Sequence, residues 1–135
     1  MDYFHITEDR QDLLKVSNLG LAYLGDAVYE LRARSHVLSR IQAPVEKLHH
    51  ITTGLVKAGA QAAMAEKLLP RLTEEEAAVF RRGRNTSPHS NPKGATRQEY
   101  QTATGLEALF GWLYLKGETE RLNTLFEWML KGKEE

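Results

Sequence analysis

The sequence predicts an all-α domain, and three observations carry that prediction. Apolar residues recur three and four positions apart in segment after segment. No stretch of useful length alternates apolar and polar residues as a half-buried strand would, and no internal repeat is visible. Helix starts and stops punctuate the apolar segments: Ser17 or Asn18, Pro44 and Thr73-Glu74-Glu75-Glu76 as starts, Gly117 as a stop.

Taken in order, Met1 to Lys15 is mixed and polar, an arm with a short helical turn near Gln11 to Leu14. Ser17 or Asn18 can cap a first long helix that runs to about Ser39. Its first half is apolar nearly all round. Leu24, Ala27, Val28 and Leu31 form one stripe, and Leu19, Ala22 and Tyr23 occupy the opposite side. Such a helix is expected to be buried. Its second half carries Arg32, Arg34 and His36 and reads as more exposed. Pro44 suits the first turn of a second helix. This helix runs through Val45, Leu48, Ile51 and Leu55, then Ala58, Ala62 and Ala65, to Leu68 and Leu69 before Pro70. Its small residues allow close packing. Thr73 to Glu76 is a capping-box pattern opening a helix through Phe80. Arg81 to Gln98, rich in Gly, Pro, Ser and Asn, reads as a loop. A helix from about Glu99 to Lys116 follows, ended by Gly117. A last helix from Glu118 to Leu130 turns Leu122, Leu125, Phe126 and Met129 inward, with a frayed tail from Lys131 to Glu135.

At 135 residues the chain is expected to be one domain, 1–135, with a real core. The formal net charge is zero, so nothing global marks a nucleic-acid binder. The absence of cysteine excludes a disulfide framework, a thiolate zinc site and a cysteine nucleophile. The N-terminus lacks the basic-then-apolar pattern of a signal peptide, and no apolar run is long enough to span a bilayer. The expectation is a soluble, cytoplasmic protein without a membrane partner.

Two lone acids stand out against this background. Asp26 is the one charge between Leu19 and Val28, and Glu107 is the one charge between Thr102 and Leu115. Each sits in a helix that reads as buried, Asp26 about 200° around its helix from Leu24. Two readings are open. Both acids are structural, bonded to a helix cap or an arginine. Or they meet in space, where like charges repel and a divalent cation is the natural remedy. Magnesium takes carboxylate oxygens and keeps several waters, so two acids are a sufficient protein contribution. Thr104, three residues before Glu107, either holds a metal-bound water or back-bonds within its helix.

The second feature is basic. Arg81, Arg82, Arg84, Lys93 and Arg97 lie in a segment without a single acid, with Asn85 among them. Arginine suits phosphate geometry, and Gly and Pro let a loop follow a curved polyanion. A solvated surface loop is the plainer reading. The histidines are less informative: His49 and His50 are adjacent and point in different directions on a helix, and His5, His36 and His89 are singletons. Tyr23, Tyr29, Tyr100, Trp112, Tyr114 and Trp128 fall at helical spacings and read as core rather than as base-stacking platforms.

Leu21-Ala-Tyr-Leu-Gly-Asp26-Ala-Val resembles the signature of the ribonuclease III family, in which a helix reads Glu-Phe-Leu-Gly-Asp-Ala-Val. Gly105-Leu-Glu107-Ala-Leu-Phe-Gly-Trp-Leu-Tyr-Leu is similar to that family's second catalytic helix, Phe-Glu-Ala-Leu-Ile-Gly-Ala-Ile-Tyr-Leu. The run Arg81-Arg-Gly-Arg-Asn85, then Pro92-Lys93, with no double-stranded-RNA-binding domain, resembles the Mini-III branch of that family. The resemblance extends from about Leu19 to Lys131. It implies an α-helical homodimer whose signature helices pack near the two-fold axis, a contact that Gly20, Ala22 and Gly25 would suit. It implies one active site per subunit along a shared RNA valley, and cytoplasmic processing of the double-stranded stem at the ends of large-subunit (23S) ribosomal RNA precursor. The sequence also departs from the wider family. Full-length ribonuclease III has four acids around its metals. Asp26 and Glu107 match two, while Ala22 and Thr104 stand at the positions of the others.

These readings converge on a magnesium-dependent endoribonuclease for double-stranded RNA, with manganese as a substitute. Asp26 and Glu107 are expected to hold the metal for in-line displacement, leaving 5′-phosphate and 3′-hydroxyl ends. Arg81, Arg82, Arg84, Asn85, Lys93 and Arg97 are expected to contact the RNA backbone, read by shape more than by sequence. Lacking an appended RNA-binding domain, the chain would need its own loops or another protein, a ribosomal protein being one candidate, to choose its substrate. The alternative is a catalytically silent helical dimer that binds structured RNA as a ribosome assembly factor.

Overall fold

The computed structural model describes residues 13, 15–86 and 94–134, with side chains through 131. The described residues are helical, as expected, without strands. The helices are α1 (Asn18–Arg40), α2 (Val45–Val56), α3 (Ala58–Leu68), α4 (Glu74–Asn85), α5 (Arg97–Leu115) and α6 (Thr119–Glu134), with a 3₁₀ turn at Leu69–Arg71 between α3 and α4. The N-terminal arm lies largely outside the described residues.

Local chemistry sets these boundaries. Ser17, not Asn18, caps α1, its Oγ accepting from the Gly20 N–H at 2.9 Å. Thr73 and Glu76 form the expected capping box on α4. A second box, Thr96 with Glu99, opens α5 two residues earlier than the sequence reading placed it. At the other end of α5, Gly117 (φ 76°) turns the chain, and the Glu118 and Gly117 N–H groups donate to the Leu113 and Tyr114 carbonyls.

Three expectations need correction. The helix read from Val45 to Leu69 is two helices, broken at Lys57, whose backbone is extended (φ −64°, ψ 152°). The buried Gln61 side chain stitches the break, Nε2 donating to the Val56 carbonyl at 2.8 Å. The segment Arg81 to Asn85, read as loop, is the last part of α4. Gly83 is no breaker there, because it faces α5: a Cβ on it would lie 2.6 Å from the Ala108 Cβ. Finally, α6 runs on to Glu134 rather than fraying from Lys131.

Helix α5 is the axis of the bundle, in contact with α1, α3, α4 and α6. Its Leu106, Leu109, Phe110 and Leu113 are buried, against Tyr29, Ala33 and Val37 of α1, Met64, Ala65 and Leu68 of α3, and Leu125, Phe126 and Met129 of α6. Tyr29 meets Phe110 edge-on at 5.4 Å, and its hydroxyl donates to the Leu55 carbonyl at 2.9 Å. Burial, then the neighbouring Glu107 charge, raises the Tyr29 pKa above its ordinary value. Arg121 of α6 grips the buried Glu76 of α4 with two 2.8 Å hydrogen bonds.

The crossing of α1 over α5 is the closest in the bundle to the two lone acids. Gly25 rests on the Glu107 carbonyl and Gly111 on the Leu21 carbonyl, with no room for a Cβ at either position. The two backbones therefore touch, which only glycine permits.

Candidate active site at the crossing of α1 and α5

Asp26 follows Gly25, and Glu107 supplies the carbonyl on which Gly25 rests. The backbone contact thus brings the two acids together, and their carboxyl groups are within hydrogen-bonding reach of each other. Burial pushes the Glu107 carboxyl up to about 9. The adjacent Asp26 adds to that rise, and a hydrogen bond from Gln61 works against it. Among the described residues, no set of three or more His, Cys, Asp or Glu side chains could hold a metal. Asp26 and Glu107 are the acids that this crossing brings together.

One expectation about the pair fails. Asp26 is exposed, not buried among apolar neighbours, while Glu107 is half-buried. The core face of α1 is Leu21, Ala22, Gly25, Tyr29, Ala33 and Val37. Ala22 and Gly25 thus face α5 of their own chain and are not free for a second subunit. The outer face carries Leu19, Tyr23 (85% exposed), Ala27, Leu31 (60%) and Leu38. Tyr23, read as core from its spacing, is the most exposed of these.

Gln61 is the group that sequence reasoning missed. It reaches Glu107 from α3, is 2% exposed, and hydrogen-bonds to Glu107 as well as to Val56. Its Oε1 has no hydrogen-bond partner. The available signal was a lone long polar side chain inside the small-residue run Ala58 to Ala65. Thr104 is buried and its Oγ1 donates to the Tyr100 carbonyl at 2.9 Å, the back-bond named as one of its two readings.

The basic residues do not form one loop cluster. Arg81, Arg82 and Asn85 are exposed on the last turns of α4, and Arg84 is half-buried. Arg84 Nε donates to Asn85 Oδ1 at 3.4 Å, and its guanidinium lies 5.9 Å from the Phe80 ring centroid. Arg97 is the exposed first residue of α5. Lys93 lies outside the described residues. Close packing of α4 on α5, with a Gly105 Cβ position 2.7 Å from the Phe80 carbonyl, carries the α4 arginines on the helix next to Glu107. His36 is taken up by Arg40 and lies 6.0 Å from the Phe126 ring.

Comparison with known proteins gives this geometry a context. The family model described as Ribonuclease III domain matches residues 19–118. A Mini-ribonuclease 3 from a Thermoanaerobacter species is 44% identical over 126 residues, covering 93% of this chain and 89% of that protein. A Mini-ribonuclease 3 from Symbiobacterium thermophilum is 47% identical over 114 residues, covering 84% and 88%. A crystal structure of a Fusobacterium nucleatum protein superposes with a TM-score of 0.82 at 31% identity, over 90% of this chain and 98% of that one. The matched segment contains both acid-bearing helices almost to their ends, and the relatives are ribonucleases by name. The chain belongs to the ribonuclease III family, in its Mini-ribonuclease 3 branch, and is an endoribonuclease.

Proposed function

We propose that this endoribonuclease cuts double-stranded RNA in a magnesium-dependent reaction, with Asp26 and Glu107 as the cation's protein ligands. The observation that carries this reading is the meeting of the two lone acids at the glycine crossing. A pair of carboxyl groups in contact, one of them half-buried, is short of positive charge, and hard carboxylate oxygens suit magnesium or manganese. The residues present therefore fit a divalent cation. The ribonuclease III family is generally dependent on a divalent metal and acts on double-stranded RNA, typically as a dimer, which supports the same reading. When bound, the cation supplies a Lewis acid for the phosphate oxygens and a hydroxide source at neutral pH.

The chain's own residues have separate tasks. Asp26 and Glu107 are held at fixed spacing by the backbone contact beneath them. Arg81, Arg82, Arg84, Asn85, Lys93 and Arg97 contact the phosphate backbone and set the duplex over the acids, while the Thr104 hydroxyl is tied to the Tyr100 carbonyl of its own helix. Cleavage would join a water oxygen to phosphorus and break the P–O3′ bond, with a proton passing to O3′, leaving 5′-phosphate and 3′-hydroxyl ends. The substrate is the double-stranded stem of 23S ribosomal RNA precursor in the cytoplasm, with a ribosomal protein as a candidate helper. The catalytic domain occupies 1–135 and works as a homodimer through the outer face of α1. No described helix is long and apolar enough to cross a membrane.

The deciding experiment is cleavage of a perfect RNA duplex and of a ribosomal precursor stem, with magnesium and with chelator, by the native chain, Asp26→Asn and Glu107→Gln. The expected result is magnesium-dependent cutting that falls by about a thousandfold or more in both variants, a loss on the order of 4 kcal/mol of barrier lowering. Cutting that survives both substitutions overturns the assignment of the site.

A further inference from the structure

Gln61 is the one long polar side chain buried on α3, where the other inward positions are Ala62, Met64, Ala65 and Leu68. Its Nε2 carries two hydrogens. One is given to the Val56 carbonyl at 2.8 Å, which ends α2 without a helical partner. The other is available to Glu107, with which the side chain also hydrogen-bonds. The Val56 carbonyl has no proton to give, so the amide end facing it must be the NH₂ group. That fixes which way the amide lies.

The remaining atom is unexplained by packing. Oε1 is buried and accepts from nothing in the protein. A buried acceptor left unpaired is destabilising, and an apolar side chain of the same volume would avoid it. Capping α2 accounts for Nε2 but not for Oε1. Oε1 belongs to the same amide group that interacts with Glu107, so it is at the Glu107 end of the α2–α3 break. Groups that hold a metal ligand in place in this way tune both the orientation of the ligand and the strength of binding.

We propose that Gln61 is a positioning residue of the cation site: its Nε2 ties the Glu107 carboxylate to the end of α2, and its Oε1 accepts a hydrogen bond from the hydration shell of the divalent cation. This rests on the cation reading of Asp26 and Glu107. It gives the site a third protein oxygen, a neutral one, on a helix that neither acid occupies.

The test is calorimetric titration of the RNA-free protein with manganese alone, for the native chain, Asp26→Asn and Gln61→Met, with thermal unfolding in chelator measured alongside. The expected result is binding by the native chain, loss in Asp26→Asn, and affinity about tenfold weaker in a folded Gln61→Met. Native binding with a Gln61→Met isotherm that superposes on it, whatever the change in unfolding temperature, means that Gln61 only caps α2, and the proposal falls alone. A flat native isotherm overturns the cation reading and this proposal with it. Should Gln61→Met fail to fold, Gln61→Asn keeps the amide but withdraws it by one methylene. The same weakening is expected there, and native affinity in that variant overturns the proposal.

Discussion

Burial and then Asp26 push the Glu107 carboxyl up to about 9, so a proton is expected on it at neutral pH in the metal-free chain. In the unfolded chain the same group ionises at its ordinary value near 4.5. The folded state thus binds the extra proton between these limits, and folding stability falls as pH rises from about 4.5 towards 9. Glu107→Gln removes that dependence. At pH 7 in chelator it is expected to be more stable than the native chain by on the order of 3 kcal/mol. The difference should shrink at pH 5, as read by urea unfolding at both pH values. Greater native stability at pH 7 would show that Glu107 is ionised and compensated. Asp26 shows where residue-level reading stops. Its identity as a lone acid in an apolar stretch was plain, while its meeting with Glu107 was one of two open readings. Its exposure was not plain, because an apolar helix face looks alike whether its cover comes from the same chain or from another. Gln61 was missed for a related reason: a glutamine among alanines has no periodicity to betray which way it points.

At the scale of elements, helix α4 changes what the arginines can do. On a loop they could conform to any phosphate path. On a helix, Gly83 turns inward against α5, so Arg81, Arg82, Arg84 and Asn85 are presented at fixed angles on a rigid rod. An Arg82→Ala/Arg84→Ala chain is expected to bind duplex RNA more weakly at low salt. It should also show a log-affinity against log-salt slope reduced by about two, as measured by filter binding across salt concentrations. An unchanged slope would mean that these side chains do not meet phosphates. The helix was legible up to Phe80 and not beyond, since Arg81 to Asn85 has the composition of a loop and glycine ordinarily stops a helix. What outweighs that propensity is tertiary: the same lack of a side chain lets α4 seat on Ala108. The break at Lys57 was hidden in the opposite way. The apolar spacing continues across it, and its stitch is a side-chain hydrogen bond from four residues further on.

For the whole molecule, the outer face of α1 is the unfinished part. Leu19, Tyr23, Ala27 and Leu31 follow one another at four-residue intervals, all exposed. Beside them Val28, Phe110, Tyr114 and Leu122 line an apolar hollow of about 260 Å³. An exposed apolar face of this kind is what a second copy would cover in the proposed homodimer. Tyr23→Asp/Leu31→Asp is expected to sediment as a monomer at micromolar concentration with its helical content intact, where the native chain sediments as a dimer. A native monomer, or a dimer that survives both substitutions, would place the interface elsewhere. The fold class and the order of helices were readable because periodicity and caps are local properties. The exposure of the outer face of α1 was not, because apolar residues at helical spacing look the same whether they meet a core or solvent. The glycine crossing beneath the acids has a bearing on how this molecule can vary. The backbones that carry Asp26 and Glu107 are spaced by main chain resting on main chain, not by the bulk of apolar side chains. Apolar exchanges at Leu109, Phe110 or Phe126 will therefore alter how firmly the bundle holds while leaving the acids in register. The interior is thereby free to drift under selection for temperature while the two acids keep their places.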